Sequence, residues 1–128
     1  MDRHTEVRLK RDNAIWLVTA GSDWRPQAVP VWYLWDGKSF LIYAQPGAKV
    51  RHVKENPYVE VHLNTDDAGE DVVRASGYAT IPKSHPPAHK NPAYLRKYRS
   101  QIVGLGMTVE AFAEKYQYPI RVRRLRFH

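Results

Sequence analysis

Apolar residues in this chain fall into short blocks whose spacing alternates between two periods. Asn13 to Ala20 is nearly apolar and rich in β-formers, so it predicts a strand. Gly21 to Pro26 reads as a turn, and Gln27 to Trp35 as a second strand. Asp36-Gly37 is a strong hairpin signal, and Ser39 to Ala44 runs back from it. These three strands are expected to form an antiparallel meander. Tyr58 to Asn64 alternates, with Val59, Val61 and Leu63 on one face. Val72 to Ile81 predicts a fifth strand, and Gly77 inside it predicts a bulge or a close backbone approach. Tyr118 to Phe127 is a sixth, with Ile120 and Val122 alternating with arginines.

The helical period appears elsewhere. Thr5 to Arg11 reads as a short lead-in helix capped by Thr5. Pro92 opens a helix over Ala93 to Val103, with Leu95, Tyr98 and Ile102 on one face and Gly104 and Gly106 past its end. Thr108 caps another, in which Val109, Phe112, Ala113 and Tyr116 recur at i, i+3, i+4 and i+7. Pro82 to Pro92 reads as a crossover loop rather than a domain boundary. The expectation is one domain over residues 1–128: mainly β, a six-stranded antiparallel barrel, closed or partly open, with short helices.

Composition narrows the chemistry. The chain has no cysteine, which excludes disulfides, iron–sulfur clusters and thiolate zinc sites. His85 and His89 are four apart, but Pro86 and Pro87 prevent the helix that would align them, and no HExxH pattern occurs. No metal site is expected. There is no GxSxG, no GxGxxG and no P-loop, and no catalytic residue is assigned. No apolar run approaches a membrane span, and Met1 to Glu6 lacks the apolar core of a signal peptide, so the expected location is cytoplasmic, without a membrane partner. The formal net charge of +7 favours anionic ligands.

That charge matters most between Gln27 and Pro57. Pro46-Gly47 opens a short helix, and Pro57 limits it. Its first turns carry Lys49, Arg51 and His52, where a helix already holds partial positive charge and unpaired N–H groups. Such a turn suits a phosphate; the alternative is a solvated basic face. Pro30 lies inside the preceding strand. It marks either a guarded edge or a break whose free backbone groups would receive a planar ligand. Along that strand Val29, Val31 and Tyr33 share one face, and Pro30, Trp32 and Leu34 the other. Both faces are apolar, so both should be covered, one by the barrel and one by a ligand or second subunit. Trp16, Trp24, Trp32 and Trp35 would pack in the core or an interface, or stack on a ring system.

Three blocks carry a family likeness: Ala-x-Pro-Val-Trp-Tyr-x-Trp-Asp-Gly at 28–37, Ile-Tyr-Ala-Gln-Pro at 42–46, and Lys-Val-Arg-His-x-x-x-Asn-Pro at 49–57. Together they resemble the FMN-binding split-barrel superfamily of pyridoxamine 5′-phosphate oxidase-like proteins. Tyr-Leu-Arg-Lys-Tyr at 94–98 and Gly-Met-Thr-x-Glu-x-Phe at 106–112 look like its coenzyme F-420-dependent reductase branch. The resemblance implies a homodimer with cofactor sites at the interface. The backbone of Val29, Pro30, Val31 and Trp32 would line the cofactor ring, and Tyr43, Ala44 and Gln45 would flank it. Lys49, Arg51 and His52 would hold the phosphate. The Arg-x-Val-x-Leu-Lys strand motif of the pyridoxamine oxidases is missing, which argues against vitamin B6 oxidation. The resemblance, with the excess of positive charge, implies hydride transfer from reduced F-420 to a small electron-poor organic acceptor. The alternatives are an FMN-dependent reductase or oxidase, a non-enzymatic cofactor carrier, or a basic nucleic-acid-binding barrel. Against the last, and against a nucleic-acid partner, the tryptophans lie in apolar strands rather than among the arginines.

Overall fold

A computed structural model describes residues 1–128. Seven strands form one antiparallel sheet: β1 (Ala14–Ala20), β2 (Pro26–Trp32), β3 (Leu34–Trp35), β4 (Phe40–Ala44), β5 (Tyr58–His62), β6 (Arg74–Thr80) and β7 (Tyr118–Phe127). Their order in space is β2-β1-β5-β6-β7-β4-β3. Four α-helices accompany them: α1 (Arg3–Arg11), α2 (Ala48–Glu55), α3 (Pro92–Gly104) and α4 (Val109–Lys115). The sheet curls into a half-barrel. Its concave side holds the main core, with Leu9, Ile15, Leu17, Val59, Val61, Ile120 and Val122 among others. A second apolar cluster lies on the other side of β4, where Leu41 and Tyr43 meet Tyr94, Tyr98, Ile102 and Phe112 from α3 and α4.

The alternating strands fold as their pattern requires. Val59, Val61 and Leu63 are buried, and Gly77 sits at a register irregularity between β6 and β7. A Cβ on Gly77 would lie 2.9 Å from Val122 Cγ1 and 3.0 Å from the Arg123 carbonyl, so the close approach is real. Pro92 starts α3, and Thr108 caps α4 by accepting from the Ala111 N–H. At the N-terminus the cap is Asp2, which accepts from the Thr5 N–H at 2.8 Å; Thr5 itself lies inside α1.

The expected three-strand meander is not what forms. The stretch from 27 to 35 breaks at Tyr33, which gives seven strands instead of six. Upstream of the break, β2 pairs with β1, placing Pro30 opposite Trp16. Downstream, β3 pairs with β4 around the Asp36-Gly37 turn. The two hairpins occupy opposite ends of the sheet, and the seam between them is the split of the barrel. Pro30 thus sits on an edge strand, and the break falls three residues later.

The cause is a set of contacts 65 residues away in sequence. The Tyr33 N–H donates to the Tyr98 hydroxyl oxygen at 2.9 Å. That hydroxyl lies 2.7 Å from the carbonyls of both Tyr33 and Asn13. Lys97 Nζ donates to the Tyr33 carbonyl at 3.2 Å. Backbone groups that a strand ladder would have used are satisfied by α3 instead. The Tyr33 ring is fully buried, and its hydroxyl donates to the Leu9 carbonyl at 2.7 Å.

Removing the Tyr98 hydroxyl should leave a buried N–H without a partner. Tyr98→Phe is expected to cost about 2 kcal/mol, read as a lowered urea midpoint at unchanged m-value. Burial drives the Lys97 amine down to about 8, and Asp12 opposes the shift. A base whose folded pKa lies below its unfolded value releases its proton first in the folded state. The unfolded chain then binds more protons, and stability rises with pH. Lys97 should contribute such a rise between about 8 and its ordinary value of 10.5. Urea titrations across that interval should show a smaller rise in Lys97→Met than in the unsubstituted chain.

Candidate functional site

α2 is built by one apolar stripe and opened by residues that leave its end free. Val50 and Val53, three apart, point into the barrel core. Gly47 is the N-cap and has no side chain to offer; the first helical bond is Arg51 N–H to the Gly47 carbonyl, at 3.1 Å. No acidic residue lies in the first turn. The N–H groups of that turn therefore point out of the helix without an intrahelical acceptor. Lys49 is half-buried and Arg51 exposed beside them, and neither is in an ion pair. Cations at the positive end of a helix dipole are mutually unfavourable unless an anion joins them.

His52, the third predicted phosphate ligand, has a different engagement. Its Nδ1 lies 3.0 Å from the hydroxyl of buried Thr19 on β1. A Cβ on Gly21 would come within 2.9 Å of His52 Cδ2 and 2.7 Å of Glu55 Oε1. Glu55 in turn accepts from the Ser22 N–H at 2.9 Å. His52 and Glu55 dock α2 onto the β1–β2 turn, and this fixes the direction in which the open N-terminus points.

The predicted ring-lining residues lie on β2. That strand is hydrogen-bonded to β1 alone, so its second edge faces the split with no strand partner. Val31 packs toward the core, Val29 is half-buried and Pro30 is exposed. The Trp32 indole is held from the other side, stacked on Tyr98 at 4.8 Å and on Phe112 at 5.6 Å between ring centroids. Across the split, β4 approaches β2 and leads directly through Gln45 into α2. The Ala44 methyl faces the core, and Gln45 is half-buried.

Tyr43 is placed away from this cleft. Its ring lies under α3, edge-on to Tyr94 at 4.8 Å. Its hydroxyl donates to the Pro86 carbonyl at 2.9 Å and accepts from Asn91 Nδ2 at 3.1 Å. Burial raises its pKa, although Asn91 and Arg121 oppose that. The β2 backbone thus lies across the split from β4, and Ala44 and Gln45 lead from β4 into the helix turns that carry Lys49 and Arg51. The side chains of Tyr43, Trp32 and His52 serve packing contacts.

One feature escaped the sequence pattern. The outer face of the sheet carries a concavity of about 580 Å³, lined in part by Thr19, Tyr58, Ser76, Tyr78, Arg124 and Arg126. Tyr58 and Tyr78 face each other there at 4.8 Å. Their exposure at alternate strand positions was the only available signal. On the same outer side Trp16 stacks on His62 at 6.1 Å. No three His, Asp or Glu side chains converge to hold a metal ion, and no helix is long and apolar enough to cross a membrane.

Residues 1–127 match the family described as Pyridoxamine 5′-phosphate oxidase. The chain belongs to this family. Among solved structures, it is similar to an F420 reductase at 24% identity and a TM-score of 0.73, covering 100% of this chain and 98% of that one. It is also similar to an FAD-binding protein from Mesorhizobium loti, at 14% identity and a TM-score of 0.70, with 99% and 92% covered. A third likeness is to HutZ, the heme storage protein from Vibrio cholerae, at 10% identity and a TM-score of 0.63, with 95% and 88% covered. These TM-scores show a shared fold. No curated protein sequence matches the chain.

The charge arrangement on α2 has a stability consequence. Lys49→Glu puts an acid in the first turn, where the dipole favours it. The variant is expected to gain about 0.5 kcal/mol or more, measured as a raised urea midpoint.

Proposed function

We propose that this family member is an oxidoreductase that holds coenzyme F-420 in the split and passes hydride to a small electron-poor acceptor. The observation that carries this reading is the uncapped, cationic N-terminus of α2, which follows directly from β4, the strand that approaches the unpartnered edge of β2 across the split. Helix N–H groups, Lys49 and Arg51 together fit a phosphate. The free edge of β2 at Val29, Pro30, Val31 and Trp32 offers backbone donors and acceptors in a row, which fits the amide-like rim of a flavin-type ring. When bound, the deazaflavin supplies the hydride chemistry, as cofactors do for reactions that side chains cannot perform. The chain's own residues anchor the phosphate, align the ring along β2 and exclude water.

A second copy of the chain would complete the site. The outer face around Trp16, Pro30 and the Tyr58–Tyr78 pair is apolar enough to be covered, and a homodimer would cover it. FMN would offer a phosphate and a flavin ring to the same groups. The excess of positive charge favours F-420 with its acidic tail. A cytoplasmic location goes with this reading.

Equilibrium titration with F-420 and with FMN, followed by fluorescence, tests the proposal. F-420 should bind with a roughly micromolar dissociation constant, and Lys49→Glu should lose most of that affinity while folding at least as stably. Tighter binding of FMN would assign the flavin instead. Binding without turnover of any nitro or enone acceptor would point to a carrier. Binding of neither cofactor would remove the proposal.

A further inference from the structure

A second cationic site lies on elements that the cofactor proposal does not use. The face of α3 and the 3-10 turn before it (Ala88–Lys90) enclose a groove of about 570 Å³. Its polar lining includes His89, Lys90, Arg96, Lys97, Arg99 and Ser100, with Pro92 and Leu95 beneath. No carboxylate lines it, and α3 has no acidic residue anywhere in its length. None of these four Lys and Arg side chains is in an ion pair. Arg96 and Arg99 are three apart on the helix, so they repel each other with no counter-charge between them.

Two further observations separate this groove from an ordinary solvated basic face. The first is Lys97, which is half-buried rather than extended into water. Its Nζ lies 4.0 Å from the Tyr33 ring centroid and 5.2 Å from that of Tyr98. Burial lowers its pKa to about 8, so its surroundings supply too little negative charge to hold the proton at the ordinary value. The second is His89, whose Nδ1 is buried and has no hydrogen-bond partner. Buried polar atoms are nearly always paired, so this nitrogen lacks the partner that its type usually has. Both residues line the same groove as the unpaired arginines.

We propose that this groove binds a small, multiply charged phosphoryl anion. Arg96 and Arg99 present planar forks that match phosphate oxygens two at a time, and Lys90 and Lys97 add point charges. A volume of about 570 Å³ exceeds what one phosphate fills and suits a ligand of metabolite size. The site is separate from α2, so it does not depend on the flavin assignment.

The probe is inorganic pyrophosphate, titrated into the ¹⁵N-labelled full chain at constant ionic strength, with a heteronuclear spectrum at each step. Saturable shifts should appear at backbone amides of residues 89–100. The double variant Arg96→Ala/Arg99→Ala changes two exposed side chains, so folding should be kept. It should weaken binding at these amides by about tenfold or more, while Lys49→Glu should leave them unchanged. On ¹³C-methylated protein, the Lys97 resonance should titrate at higher pH when pyrophosphate is present. The inference is overturned if no amide in 89–100 saturates, if the arginine double variant binds as well as the parent, or if saturable shifts occur only around α2.

Discussion

The hydroxyl of Tyr98 holds the position on which the barrel's shape depends. It meets the Tyr33 N–H, with the Tyr33 and Asn13 carbonyls also within hydrogen-bonding distance, all in a buried site. Without it, Tyr33 would continue an apolar run from Ala28 to Trp35 that has every local reason to be one strand. With it, the run divides, and its halves pair at opposite ends of the sheet. The Trp32 ring stacked on Tyr98 and the Lys97 amine on the Tyr33 carbonyl reinforce the same point. The split is thus the place where α3 supplies the Tyr33 backbone with hydrogen bonds that a neighbouring strand would otherwise supply.

That division creates the candidate cleft. It leaves β2 with one free edge, and it brings β4, which leads into α2, across from that edge. The end of α2 carries an electrostatic cost that packing does not explain. Val50 and Val53 anchor the helix equally well whatever its first turn holds, and the docking contacts lie at His52 and Glu55. Lys49 and Arg51 are free to be anything, yet they are cations at the positive end of a dipole. Strain of this kind is expected where a ligand supplies the missing charge. The groove on α3 repeats the logic with side chains alone, since its arginines have no counter-charge and the desolvation of Lys97 is relieved by an anion.

Local signals were legible wherever one face of an element meets one core. The alternation of Val59, Val61 and Leu63, the bulge at Gly77, the proline start of α3 and the Thr108 cap all follow from nearest-neighbour rules. Within the candidate site, the basic turn of α2 was legible for the same reason, because its caps and charges are consecutive in sequence. The hydrogen-bond partners of Tyr43 and His52 were not. Each of these two residues stands in a motif that carries the family likeness, yet each is claimed by a partner 33 to 48 residues away: Thr19 for His52, Asn91 and Pro86 for Tyr43. No spacing rule reports such a partner.

The sequence by itself determined most of the element types, the mainly-β fold class, the absence of thiol chemistry and the concentration of cations at Lys49 and Arg51. These depend on side-chain periodicity, capping residues and charge, which are properties of neighbours. Only the tertiary structure decided that one predicted strand is two, which edge of the sheet is open, and which polar side chains are already satisfied. Those outcomes turn on hydrogen bonds between residues far apart in the chain. A hydroxyl from α3 can outcompete a strand ladder at Tyr33 only once the fold has brought it there.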